Sequence, residues 1–392
     1  MTRRLRVVPV GDPLDLMTPL RLALANTGDA VLPVPDRPVP DQPGAAPRPG
    51  LTRVPRQVAV VIETSGSTDV PKRVMLSTDA LLSSAAASSV CLGGPGQWLL
   101  ALPVHYIAGV QVLVRSIAAD TIPVVLPGGH FDPAVFATGA ERLTEPLRLT
   151  ALVPVQLARL VAAAADDRHL LALLRRFDGI LVGGQALPPQ LAERAFALDL
   201  RIVATYGSSE TSGGCVYNGT PIGNTRVRVV DGQLEIAGSV LAEGYLGDPV
   251  RTRDRFIDVH GERWYRTGDL GEVDAATGLR VLGRADNVII SGGEKVSLDA
   301  VERVVRSLPG LGQSLVVARS DLTWGQVPVL VVPGAPGDAG LPADTLERIG
   351  EAVASVLGKA ARPARLVRVA SIPQLSTGKP DRRELARMLA DL

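Results

Sequence analysis

From Gln57 to Gly207 the chain repeats one unit: a short apolar run, a polar turn and a helical segment. The runs are QVAVVI (57–62), QWLLALP (97–103), IPVVL (122–126), residues 149–153, ILVGG (180–184) and RIVATYG (201–207). Helices are expected from Ser77 to about Val90, near 109–118, after Pro133, through Ala165 and from Pro188. Unbroken runs of valine, isoleucine and leucine suit strands buried on both faces, and strands separated by helices pair in parallel. The expectation is an α/β fold: a large N-terminal domain of parallel sheets covered by helices, with ligands at the carboxyl ends of the strands.

Elsewhere the texture differs. Residues 14–26 read as a helix, and Pro33 to Pro55, with eight prolines, reads as a connector. After Gly219 the pieces RVRVV, QLEIAG, WYRTGDL and LRVLG alternate with Gly/Asp turns, which predicts a small antiparallel, β-barrel-like subdomain over 219–283. Beyond it, a glycine turn at 292 and 293, helices at 297–308 and 343–357, strands at 314–318, 327–332 and 365–370, and a last helix opened by Pro380 read as a smaller α+β C-terminal domain. The boundaries expected are 1–285, with 57–218 as its α/β core, and 286–392.

Lysine plus arginine number 41 against 40 aspartate plus glutamate, which argues against nucleic acid or an anionic membrane as the main partner. Two cysteines without metal spacing, Cys91 and Cys215, fit a reducing cytoplasm better than a disulfide framework. Pro9, Asp12 and Pro13 interrupt the first apolar run, so no signal peptide is expected. Arg115, Asp120 and Arg159 interrupt the longest apolar stretches, so neither is expected to span a membrane. A homodimer is compatible with this composition but not specified by it.

The stretch TSGSTDVPK, Thr64 to Lys72, follows the first apolar run. Hydroxyls, a glycine and a lysine at a strand end offer converging donors with little bulk, as a polyphosphate requires. A solvated loop has the same composition, and the Walker spacing G-x-x-x-x-G-K-[ST] occurs nowhere in the chain. The residues alone leave a nucleoside triphosphate site and a plain loop both open.

Five further stretches bear on that choice: PVHYIAG (103–109), GGQALPP (183–189), TYGSSET (205–211), YRTGDLGEV (265–273) with GRADNVIISGGEKV (283–296), and PQLSTGKPDRREL (373–385). With TSGSTDVPK, in this order, they resemble the acyl- and aryl-CoA synthetases of the adenylate-forming superfamily, over nearly everything from residue 57 onward. CLGGPGQWLLALPVHYIAGVQVLVRSI and ATYGSSETSGGCVYNGTPIG are similar to the short actinobacterial o-succinylbenzoate–CoA ligases of menaquinone biosynthesis, a form that begins close to its phosphate loop.

The resemblance implies ATP, Mg²⁺ and coenzyme A as ligands, a carboxylic acid as substrate and a two-step, AMP-forming ligation. It implies that Thr64, Ser65, Gly66, Ser67, Thr68 and Lys72 hold the β- and γ-phosphates and that Glu210 binds the magnesium. Thr211 would approach the α-phosphate, while Tyr206, Gly207, Gly183, Gly184 and Gln185 frame the adenine. Asp269 would take the ribose hydroxyls, with Arg284 as a further contact. Lys379 is implied as the catalytic lysine of a mobile lobe, Asp286 as its hinge, and Gly292 and Gly293 as the passage for the CoA thiol. His105 stands at the junction of the acyl and CoA sites, and Ser212, Gly213, Gly214 and Cys215 leave room for a flat aromatic acyl group. A histidine after a strand is also a common structural residue, so both roles stay open for His105. The other readings carried forward are a ligase for a different aryl or acyl acid, transfer to a carrier protein, and a non-catalytic nucleotide-binding relative.

Asp69 and Arg73 stand where that family usually has glycine. A carboxylate about 4 Å from a phosphate is unfavourable by roughly 4 kcal/mol at an effective dielectric of 20. Asp69 is therefore expected to point away or to pair with Lys72 or Arg73, weakening ATP binding.

Overall fold

The computed structural model describes residues 1–36, 52–64, 71–334, 342, 344–373 and 380–390. The apolar runs fall into two sheets. One is ordered Gly244–Tyr245, Lys72–Ser77, Val58–Thr64, Ala30–Pro35, Thr2–Val10 and Arg53–Pro55. The other is ordered Thr220–Pro221, Gly213–Tyr217, Ile202–Ser208, Gly179–Val182, Arg148–Leu152, Gln97–Leu100 and Val124–Val125. In the second, the five strands from Ile202–Ser208 to Val124–Val125 pair in parallel as their helical crossovers require.

The first sheet departs from the sequence expectation in two places. TSGSTDVPK does not lead from a strand to a helix: it joins two antiparallel strands, with Thr64 opposite Lys72 and Ile62 opposite Val74. The segment read as a connector contributes Ala30–Pro35, which lies parallel to Thr2–Val10 and to Val58–Thr64. Proline rarely enters an inner strand because it cannot donate to the ladder, and Pro33 and Pro35 therefore hid this one. Thr2–Val10 went unread because it is half-buried: Leu5 and Val8 point inward between exposed arginines.

Helices Thr78–Cys91 and Ile107–Ala118 lie between the two sheets in one core, which joins Val60, Ile62 and Leu76 from the first sheet to Trp98, Leu100 and Leu149 from the second. Ser77 caps the first of these helices, its hydroxyl accepting from Ala80 N at 3.4 Å. A second core, including Phe136, Leu160, Leu174, Phe177 and Ile180, covers the other face of the parallel sheet with four more helices, Pro133–Glu141, Pro154–Ala163, Arg168–Arg175 and Pro189–Ala197.

Residues 226–284 form five antiparallel strands, Arg226–Val230, Gln233–Ala237, Phe256–Val259, Glu262–Asp274 and Gly278–Arg284. The fourth sheet holds Val288–Ser291, Glu294–Ser297, Leu315–Asp321, Gly325–Pro333 and Arg365–Val369. Its strands alternate faces with period two. Leu330 and Val332 pack with helices Leu298–Ser307 and Thr345–Leu357, while Val329 and Val331 pack with Leu385 and Leu389 of Arg382–Ala390. Among the described residues no helix is long and apolar enough to cross a membrane.

Glu302 ties this last lobe together. Only 6% exposed, it accepts from Val316 N at 3.0 Å and Arg382 Nη2 at 2.7 Å, and pairs with Arg306 at 2.9 Å. Removing this carboxylate leaves Val316 N without that acceptor, while Arg382 keeps Val316 O and Asp299 and Arg306 keeps Ser314 O, so Glu302→Ala is expected to cost about 2–3 kcal/mol in urea denaturation, and Glu302→Gln less.

Candidate active site

The strand Ile202–Ser208 ends in a short turn, Ser209–Thr211, that the sequence shapes tightly. Thr211 Oγ1 accepts from Ser208 N at 2.8 Å and lies 2.8 Å from Gly213 O, its own acceptor. A Cβ at Gly207 would fall 2.1 Å from Gly213 O, so only glycine lets the strand and the turn approach this closely. Ser212 adopts a left-handed φ of 53°. The result brings Glu210 to Lys72, at the turn end of the hairpin.

Lys72 Nζ donates to Glu210 Oε1 at 2.6 Å, and Tyr245 Oη donates to the same oxygen at 2.9 Å. Glu210 is only 2% exposed. Burial pushes its pKa upward, but the charge and hydrogen bond of Lys72, with the Tyr245 hydroxyl, outweigh that and hold the carboxyl below its ordinary range. Arg73 pairs with Glu63 at 2.9 Å. Ser65, Gly66, Ser67, Thr68 and Asp69 lie outside the described residues, as does Lys379.

A second cluster begins four residues before Glu210. Tyr206 Oη donates to Asp269 Oδ2 at 2.6 Å, and Arg284 Nη1 donates to Asp269 Oδ1 at 3.0 Å. Arg284 also grips Asp286 with two bonds, at 3.1 and 3.0 Å, and its backbone N–H donates to Asp299 at 2.7 Å. Asp269 and Arg284 face each other across adjacent strands. The Arg284 hydrogen bonds hold the Asp286 carboxyl below its usual range. Burial, reinforced by Asp269, raises the Tyr206 phenol. Gly183 borders the same strand: a Cβ there would fall 2.3 Å from Thr205 Oγ1. Gly184 follows with φ 81°, and Gln185 continues the turn.

His105 lies between the strand Gln97–Leu100 and the helix Ile107–Ala118, its ring centroid 4.2 Å from that of Tyr106. Its Nε2 is buried without a hydrogen-bond partner, and burial lowers its pKa to about 4, so the imidazole is neutral at physiological pH. Gly213 turns toward the same helix, its Cβ position 3.4 Å from Gln111 Cγ. Ser212 is fully buried, with its hydroxyl bonded to Val240 O at 2.8 Å, so it packs the wall and presents no donor. Thr211 is likewise 0% exposed, with its hydroxyl engaged inside the turn. Cys215 is fully buried, its thiol pushed up to about 12 by that burial, a packing residue and not a nucleophile. Gly292 and Gly293 form a hairpin turn at φ 56° and 87°; Gly292 lies against Trp324 of the same lobe, while the Cβ position of Gly293 faces open space.

Sequence reasoning missed two groups. Tyr245 is one. The other surrounds Arg115, which is 7% exposed. Its Nη2 donates to Tyr217 Oη at 3.4 Å, its guanidinium lies 4.9 Å from the Trp98 ring centroid, and Ser88 is hydrogen-bonded to Tyr217. Arg115 Nε and Gln111 Oε1, one helical turn away, are buried without partners. Among the described residues no carboxylate pairs with Arg115. The signal was present: a charge inside an otherwise apolar helix, which had served only to exclude a membrane span.

Among the described residues no group of three or more His, Cys, Asp or Glu side chains could cage a metal. One ionised carboxylate, Glu210, fits a magnesium ion held mainly by phosphate oxygens and water. Lys72→Met leaves that buried carboxylate without its cation and is expected to destabilise the ligand-free protein by about 3 kcal/mol at pH 7. In the parent protein the depressed Glu210 pKa gives stability present above the ordinary glutamate value and lost as pH falls through the folded value. In the variant, burial favours the protonated form, so the gap between the two proteins narrows toward pH 4.5, as urea denaturation at both pH values would measure.

These features sit in a recognisable lineage. The AMP-binding enzyme family matches residues 19–246, and the AMP-binding enzyme C-terminal domain matches residues 300–379. The chain is 38% identical over 390 residues, 98% of its length and 97% of the relative's, to a probable 2-succinylbenzoate–CoA ligase of Mycobacterium tuberculosis. The similarity thus reaches well ahead of residue 57, into the strands that the prolines concealed. Among solved structures, the fold is similar to ATP-bound MatB from Rhodopseudomonas palustris, at TM-score 0.79, 19% identity, and 99% and 89% coverage of the two chains. It is also similar to the AMP complex of o-succinylbenzoate coenzyme A synthetase (MenE) from Bacillus subtilis, at TM-score 0.71, 20% identity, and 94% and 80% coverage. With its buried Lys72–Glu210 pair and, four residues back along the same segment, its Tyr206–Asp269–Arg284 cluster, this chain belongs to the AMP-binding enzyme family.

Proposed function

We propose that the chain is a 2-succinylbenzoate–CoA ligase acting in the cytoplasm in menaquinone biosynthesis, converting the acid, ATP and CoA into a thioester, AMP and pyrophosphate. The observation that carries this reading is the convergence of Lys72 and Glu210 with the Tyr206–Asp269–Arg284 cluster, in a chain similar end to end to the mycobacterial ligase.

In the first step a carboxylate oxygen of the acid bonds to the α-phosphorus of ATP, and the bond to the pyrophosphate oxygen breaks. Lys72, with Ser65, Gly66, Ser67 and Thr68, binds the β- and γ-phosphates. Magnesium, when bound, neutralises phosphate charge, and Glu210 would hold it. Asp269 accepts from the ribose hydroxyls, while Tyr206 and the turn at Gly183, Gly184 and Gln185 frame the adenine. Lys379 stabilises the charge that builds on the bridging oxygens. In the second step the CoA sulfur attacks the acyl carbon and AMP leaves with the bridging oxygen. Gly292 and Gly293 line the thiol's approach, and neutral His105 stands between the acyl group and that approach. The lobe bearing these glycines, residues 286–392, turns about Asp286, beside the point where the strand Gly278–Arg284 hands over to Val288–Ser291.

The substrate's second carboxylate needs a cation, and Arg115 supplies it: it is buried, held by Trp98 and Tyr217, and lacks a carboxylate of its own among the described residues. Arg115→Met is expected to raise KM for 2-succinylbenzoate at least about tenfold, the scale of a lost hydrogen bond to a charged group, with KM for ATP unchanged. Equal losses for both substrates would remove this role.

Mass spectrometry of products formed from MgATP, CoA and a panel of carboxylic acids tests the whole reading. Succinylbenzoyl-CoA is the expected thioester. Thioesters from other acids alone would overturn the substrate, and ATP–pyrophosphate exchange without any thioester would point to transfer onto a carrier protein.

A further inference from the structure

Glu210 is gripped from two sides by donors of different character. Lys72 reaches Oε1 from the turn end of its hairpin, with 26% of its side chain exposed on a flexible stem. Tyr245 reaches the same oxygen from below and is only 4% exposed. Its strand is fixed on both sides: Gly244 and Tyr245 pair with Met75 and Val74, and Tyr245 N donates to Thr252 Oγ1 at 2.9 Å. Its ring packs against Phe256, 5.8 Å between centroids, and the Lys72 ammonium lies 5.6 Å from the Tyr245 ring centroid. One side chain thus supports both ends of the ion pair. A cation on a flexible stem can leave; a buried phenol on a paired strand cannot.

At 2.6 Å one N–H of Lys72 is spent on Glu210 Oε1, so turning the ammonium fully to a polyphosphate takes it off that oxygen. Opening the contact leaves Glu210 as a buried carboxylate that needs another donor on Oε1. We propose that Tyr245 is a positioning residue that keeps the Glu210 carboxylate in place for magnesium when Lys72 turns to the ATP phosphates. This rests on the function proposed above and deepens it.

The test is Tyr245→Phe, which removes the hydroxyl and keeps the ring. Binding of a non-hydrolysable ATP analogue is followed by calorimetry across magnesium concentrations and in EDTA. The expected result is a rise of about tenfold in the magnesium concentration giving half-maximal enhancement of binding, the scale of one hydrogen bond to a charged group. Affinity in EDTA and the melting temperature should stay close to the parent's, and Glu210→Gln should lose the magnesium dependence. An unchanged magnesium requirement, or an equal loss of affinity with and without the metal, overturns the proposal. A parent protein whose nucleotide binding ignores magnesium overturns it as well. If the parent binds nucleotide in a magnesium-dependent way and Tyr245→Phe shifts that dependence, the positioning role stands even when no acid yields a thioester; the ligase reading alone then falls.

Discussion

One buried ion pair holds the nucleotide end of this protein together. Lys72 belongs to the first sheet and Glu210 to the turn that closes the second, so their 2.6 Å contact, with the Tyr245 hydroxyl beside it, ties together two layers that also share an apolar core. Taking a carboxylate out of water is costly, and the contact persists because the chain surrounds it with compensation: an ammonium, a phenol and a turn pinned by the Thr211 hydroxyl. A site arranged this way carries two opposite charges that cancel at rest, and each is felt outside only when something separates them.

The parallel sheet was legible because Val, Ile and Leu runs at helical spacing admit few alternatives, and the cap at Ser77 announced its helix. The first sheet was half legible. Val58–Thr64 opens with five apolar residues, whereas Lys72–Ser77 begins with two cations and Ala30–Pro35 carries two prolines, and pairing in the folded sheet overrides those local signals.

Within the site, residues clustered in short motifs, such as Glu210, Asp269 and Arg284, could be found from the sequence. Tyr245 could not, since it stands 35 residues from Glu210 with nothing in the spacing to join them. Arg115 was visible as a charge in an apolar helix, but only the fold puts Trp98 and Tyr217 beside it and shows that no carboxylate pairs with it among the described residues. The sequence showed that Ser212 is small, and only the fold shows that its hydroxyl is turned onto Val240.

Arg284 holds Asp269 with one arm and Asp286 with the rest of its guanidinium. A ligand that takes the Asp269 carboxylate draws on the same cation that secures Asp286, where the chain passes into its last lobe. Linkage makes such a shared partner reciprocal: occupancy of one side shifts the balance of the other, and any change in the lobe's orientation must return as a change in affinity at Asp269. A single guanidinium is enough to make two distant events answer to each other.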